Sequence, residues 1–165
     1  MEELLRSLDY IQCIMGTMRL LTILALAAIT PLFAQSSDEK EALAATQKMF
    51  DAMTAHDASA IRAVSLPDAR LFAIGEQGVP SPAMAIEDFA TRIAGIHEQI
   101  LERFTGQPAI SIHGRIAQVW GDYEFLREGK FHHCGVDSFS LFKTPQGWKI
   151  ATIVYTSETT GCRSH

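Results

Sequence analysis

The stretch GRIAQVWGDYEFLREGKFHHCGVDSFSLFKTPQGWKIATIVYTSETTGC, residues 114–162, decides how the rest of the chain must fold. It is rich in β-branched and aromatic residues and is cut by two turn signals, Arg127-Glu128-Gly129-Lys130 and Thr144-Pro145-Gln146-Gly147. This predicts strands over residues 109–126, 131–143 and 148–156, joined as an antiparallel meander. Upstream, residues 38–55 (DEKEALAATQKMFDAMTA) carry Leu43, Met49, Phe50 and Met53 at helical spacing behind Ser37 as N-cap. Asp57 caps a second short helix over residues 58–64, stopped by Leu66-Pro67, and ARLFAI (69–74) reads as a strand followed by a loop to residue 82. Met84, Ile86, Phe89, Ile93, Ile96, Ile100, Leu101 and Phe104 predict a further helix over residues 83–104, with Gly95 as a break. Helices packed on one face of a strongly curved antiparallel sheet make an α+β domain, with a pocket between the sheet and its longest helix.

The chain has 165 residues, 47% hydrophobic and 20% charged, which suits one globular domain. Its net charge of -5 provides no basic field for a phosphate backbone, so nucleic acid is excluded as a partner. The apolar run LLTILALAAITPLF (20–33) follows Met18-Arg19 and ends at Ala34, the layout of an export signal. Residues 1–34 are therefore expected to be a signal peptide and 35–165 the folded domain, periplasmic or secreted. A membrane anchor is the alternative, but 14 helical residues span about 21 Å against a hydrocarbon core of about 30 Å, and Pro31 interrupts them. No stable membrane anchor is expected after cleavage. Glu2, Glu3 and Asp9 outweigh Arg6 in residues 1–17, so translation is expected to start at Met18. The mature chain would keep Cys134 and Cys162, a candidate disulfide in an oxidising compartment.

Pairing Lys143 with Trp148 places Leu141 by Ile150, Phe139 by Thr152 and Asp137 by Val154, all on one apolar and therefore inner face. Pairing Arg127 with Lys130 sets Trp120 opposite Asp137 and Glu124 opposite His133, with Gly121 as a candidate bulge. The expected cavity wall is then Trp120, Tyr123, Phe139, Trp148 and Val154. Asp137 is carried into this apolar company, where desolvation raises a carboxyl pKa toward the range of a general base, with His133 or Tyr123 as proton partner. The plainer alternative leaves Asp137 accepting backbone or indole N–H bonds at the sheet rim. In the same register Cys134 lies opposite Ser157, and Cys162 is five residues further, about 16 Å if extended. A bond to Cys134 needs the tail to turn back, and Gly161 supplies the freedom to do so; two free thiols are the alternative.

His132 and His133 are strand neighbours expected on opposite faces, unable to share one ion, and His97-Glu98 lacks a second His at i+4. No metal site is expected. There is no Gly-x-Ser-x-Gly elbow, Gly-rich phosphate loop or other cofactor fingerprint.

The stretches HDASAIRAVSLPDARLFAI (56–74) and 114–162 resemble the nuclear transport factor 2-like superfamily, and within it the lumazine-binding branch. That superfamily includes limonene epoxide hydrolases, ketosteroid isomerases, scytalone dehydratases and SnoaL-like polyketide cyclases, alongside pure binding proteins. The resemblance implies a cone-shaped α+β fold with an internal cavity, often as a homodimer, and carries over no activity. Three functions follow as expectations. One is an exported, non-catalytic protein binding a small apolar or aromatic molecule. Another is a cofactor-free isomerase, dehydratase or cyclase using Asp137 as general base. The third is an interaction module using the outer sheet face. Two titratable groups within hydrogen-bond reach in the cavity point to the enzyme, a dry pocket to the binder, and a filled cone with an apolar outer sheet to the module.

Overall fold

The computed structural model describes residues 36–162; the expected signal peptide and the Met18 start lie outside the described residues. Helix α1 (Ser37–Thr54) begins one residue earlier than expected because Ser36, not Ser37, is the cap. The Ser36 hydroxyl accepts from the Glu39 N–H at 3.2 Å, and the Ser36 N–H donates to Glu39 Oε2 at 2.6 Å, a reciprocal capping box. Its buried stripe runs through Ala42, Ala45, Met49, Phe50 and Met53. Helix α2 (Ala58–Val64) is capped by Asp57, whose Oδ1 accepts from the Ala60 N–H at 2.9 Å. Among the described residues no helix is long and apolar enough to cross a membrane.

Seven strands follow: β1 (Ser65–Gly75), β2 (Met84–Ala85), β3 (Ile100–Phe104), β4 (Ala109–His113), β5 (Ile116–Arg127), β6 (Lys130–Thr144) and β7 (Gly147–Ser157), with helix α3 (Ile86–Ala94) between β2 and β3. The sheet order is β2-β1-β7-β6-β5-β3, with β4 also pairing with β5. The expected curved α+β sheet with helices on one face is present, but it is mixed rather than purely antiparallel. Strand β1 leaves α2 in the direction of β7 and pairs with it in parallel, Leu71 beside Ile153 and Phe72 beside Val154. Pro67, read as the stop before the strand, lies inside β1 where the register with β7 is irregular, a position that tolerates a missing N–H.

The helix expected over residues 83–104 ends at Gly95, and its second half is strand. Strands β3 and β4 lie end to end along the same edge of β5, β3 against Tyr123–Arg127 and β4 against Ile116–Trp120. The crossover is held by the Thr105 N–H donating to the Asp122 carbonyl at 2.9 Å. Gly121 sits at this junction without shifting the register, and a Cβ there would come within 2.8 Å of the Phe104 ring.

Each meander hairpin instead carries a one-residue bulge elsewhere. Between β5 and β6, Leu126 pairs with Phe131 but Phe125 with His133, so His132 is the extra residue. Between β6 and β7, Leu141 pairs with Ile150 but Ser140 with Thr152, so Ala151 is extra. Past each bulge the facing of every side chain reverses. Phe139 therefore lies opposite Ile153, Asp137 opposite Tyr155, and Trp120 opposite Ser138. Trp120 and Val154, expected on the inner wall, are on the outer face at 53% and 44% exposure, in one cross-strand row with Phe72.

The core lies between α1 and the inner face. Phe50 of α1, Phe104 of β3 and Phe139 of β6 meet edge to face, with centroids 5.1, 5.7 and 6.3 Å apart. At Gly135 a Cβ would strike the Thr156 carbonyl and hydroxyl. Gly135→Ala is accordingly expected to cost about 1–3 kcal/mol by forcing β6 and β7 apart. Urea denaturation checks this, and a cost under about 0.5 kcal/mol would mean the strands part freely.

Candidate functional site

A cavity of about 190 Å³ opens between the inner face of the sheet, α1 and α3. Met49 and Met53 of α1, Phe89 and Ile93 of α3, and Phe139 and Ile153 of the sheet form its apolar wall. This is near the size of a 150 Å³ apolar cavity that accepts benzene. The polar groups on its wall are Glu102 of β3, His133 and Asp137 of β6, and Tyr155 of β7, with Arg92 of α3 and Arg127 of β5.

Asp137 is buried at 2% exposure, and its Oδ2 has no hydrogen-bond partner among the described residues. Alternation along β3 turns Ile100, Glu102 and Phe104 inward, which brings the Glu102 side chain into hydrogen bonding with that of Asp137. Burial, the Glu102 charge and this hydrogen bond raise the Asp137 pKa well above the usual carboxylate range. Burial pushes Glu102 up to about 7, while the hydrogen bond from Asp137 opposes that rise. Adjacent carboxyls, one buried and one half-buried, do not both ionise cheaply, and the pair holds protons more tightly than free carboxyls do. Asp137, expected to act alone, thus stands with a second carboxyl, that of Glu102.

His133 lines the same cavity, stacked on Phe125 at 4.7 Å between centroids. Burial, with the neighbouring His132 and Arg127, pushes its pKa down to about 4, so it is neutral at physiological pH. The bulge at His132 also brings the two imidazoles together, Nδ1 to Nδ1 at 2.8 Å, so strand alternation does not separate them as expected. Among the described residues no cluster of three or more metal-ligating side chains forms.

Tyr123 is buried, but its hydroxyl donates to the Thr156 carbonyl at 2.7 Å and is not free to move protons. Tyr155 takes that position instead: it lies opposite Asp137, and burial, Glu102 and Asp137 raise its pKa while Arg92 lowers it. Trp148 is buried in a separate hollow bordered by Ala44, Lys48 and Val64, away from the cavity. Of the expected wall, Phe139 lines the cavity, while Trp120, Tyr123, Trp148 and Val154 do not. Cys134 and Cys162 are bonded with their Cα atoms 5.9 Å apart.

The titration of these groups predicts a pH signature. Glu102 and Asp137 hold protons more tightly in the fold than in the unfolded chain, so their contribution is complete below pH about 4 and is lost as pH rises, that of Glu102 through about 7. His133 acts in the opposite sense. Its contribution is present above about 6.5, the unfolded value, and is lost as pH falls toward 4. Glu102→Gln should remove the Glu102 share of the first slope and leave the share of Asp137, whose chief cause is its own burial, so that between pH 5 and 7 stability changes less unfavourably with rising pH than in the unmutated protein. Urea midpoints across that range read this directly. A profile identical to that of the unmutated protein would mean that Glu102 titrates as an ordinary surface acid.

No family model and no curated protein matches this chain. Solved structures do match in fold. A nuclear transport factor 2-like superfamily protein from Salmonella enterica aligns over 80% of this chain and 100% of its own, at TM-score 0.61 and 17% identity. An NTF2-like protein with a cystatin-like fold from Novosphingobium aromaticivorans aligns over 75% of this chain and 83% of its own, at TM-score 0.61 and 16% identity. A candidate dehydratase of the NTF2-like family from Streptomyces avermitilis aligns over 72% of this chain and 94% of its own, at TM-score 0.58 and 18% identity. The architecture described above is therefore the nuclear transport factor 2-like fold.

Proposed function

We propose that the cavity is a cofactor-free acid–base site that moves a proton within a small organic substrate, by isomerisation or dehydration. The observation that carries this reading is the hydrogen-bonded pair of Glu102 and Asp137 on the wall of an otherwise apolar cavity. Glu102 accepts the proton of an activated C–H, and Asp137 donates its own to a second substrate atom. For an isomerisation that atom is carbon, and for a dehydration it is the oxygen of a hydroxyl that leaves as water. In either case the pair ends with one proton, as it began. The phenol of Tyr155 is placed to donate to oxygen on which charge develops. Neutral His133 is a second hydrogen-bonding group on the same wall. The likeness to a candidate dehydratase supports the reaction class without fixing the substrate. The Cys134–Cys162 bond and the apolar run at residues 20–33 support an exported protein.

The test is proton exchange rather than a guessed turnover. In D₂O, the unmutated protein should speed deuterium incorporation into a panel of small ketones and β,γ-unsaturated ketones followed by NMR, and Glu102→Gln should lower the rate about 10²–10⁴-fold. A panel that exchanges no faster than in buffer, yet binds, would assign the cavity to ligand binding without chemistry, the function the apolar wall alone suggests.

A further inference from the structure

Arg92 is the group on the cavity wall that proton transfer leaves unused. It stands in the last turn of α3, one helical turn beyond Phe89 and beside Ile93, both of which line the cavity. Its side chain is exposed at the opening, and among the described residues it makes no hydrogen bond or ion pair. The second guanidinium on the wall, Arg127, faces Glu98 at 3.6 Å and is partly neutralised. Arg92 and Tyr155 line the same cavity, and Arg92 acts electrostatically on the Tyr155 hydroxyl, as do Glu102 and Asp137 in the opposite sense. The wall thus carries a buried acid, Asp137, and an exposed, unpaired cation, Arg92.

We propose that Arg92 anchors the carboxylate of a small monocarboxylic acid whose apolar body fills the cavity, and that this class supplies the substrate. The inference rests on the acid–base reading only for the word substrate; the anchoring itself does not depend on turnover. A guanidinium presents a planar pair of N–H donors that matches a carboxylate in bidentate geometry, and it stays charged at every pH the protein meets. The acidic pair at the inner end repels an anion, so an acid can enter in one orientation only, carboxylate outward and reacting carbon inward. A volume of about 190 Å³ limits the body to about one ring or a short branched chain.

The experiment compares phenylacetate with phenylacetamide, which has the same shape and no charge, by isothermal titration of the full exported chain at pH 7.5. The unmutated protein should bind phenylacetate about tenfold more tightly, a preference that shrinks as salt is raised. Arg92→Gln should abolish the preference and leave phenylacetamide affinity unchanged, while Arg127→Gln should retain it. Equal affinity for the two probes, absence of binding by both, or a preference that survives in Arg92→Gln and disappears in Arg127→Gln would overturn the proposal. If the preference for phenylacetate holds while deuterium exchange fails for every compound, the acid–base reading falls and the carboxylate anchor stands.

Discussion

Replacing Phe139 by alanine should cost about 3–5 kcal/mol of folding stability, a large loss for a single substitution in a domain of this size. The ring is 1% exposed, meets Phe50 and Phe104 edge to face, and so ties β6 to α1 and β3 at once. Because Phe139 also forms part of the cavity wall, the truncation enlarges the cavity as it weakens the core. Trp120→Ala is the matching control. A larger ring is removed, yet it lies on the outer face at 53% exposure, and the cost should stay within about 0.5 kcal/mol. Urea denaturation of both variants decides the matter, and a larger loss for Trp120 than for Phe139 would reverse the assigned faces of the sheet.

Loss of the Cys134–Cys162 bond has the next largest expected effect. The bond closes a loop across a sequence separation of 28, for which chain entropy gives about 3–4 kcal/mol, less any strain in the folded state. Cys134 and Glu158 exchange both backbone hydrogen bonds at 2.9 Å, so the turn back to the disulfide is only four residues long. The Thr159 N–H and hydroxyl both bond Glu76 Oε1, at 2.6 and 2.8 Å, which fixes that turn against the end of β1. Cys162→Ala, or unfolding with and without reductant, should show the loss. A reduced protein as stable as the oxidised one would mean that these backbone contacts alone hold the tail.

Much of the architecture was legible in the sequence. The meander could be read from residues 114–162 because its turns carry their own chemistry, Glu128-Gly129 and Pro145-Gln146-Gly147. Alternation then located Asp137, Phe139 and Leu141 on the inner face correctly. It failed for Trp120 and Val154, because strict alternation has no means of registering an extra residue. His132 and Ala151 have ordinary strand side chains and do not announce a bulge. Glu102 was missed for a different reason. Ile96, Ile100, Leu101 and Phe104 satisfy helical spacing, while Ile100, Glu102 and Phe104 satisfy strand spacing equally well, and the local pattern cannot choose between them. The choice is made by tertiary structure: β4 covers only the first part of β5, and the uncovered edge from Tyr123 to Arg127 needs a partner. The parallel pairing of β1 with β7 was hidden likewise, since strand direction across a long connection leaves no trace in local composition.

The two bulges make the composition of the cavity depend on strand register as well as on residue identity. Drawing Ala151 into the ladder as the partner of Ser140 would carry Val154 inward and turn Ile153 and Tyr155 out to solvent, exchanging a phenol for an isopropyl group with no substitution at either position. Among proteins sharing this sheet, residues aligned column by column past either bulge can stand on opposite sides of it, and transferring a functional residue between them first requires counting the bulges.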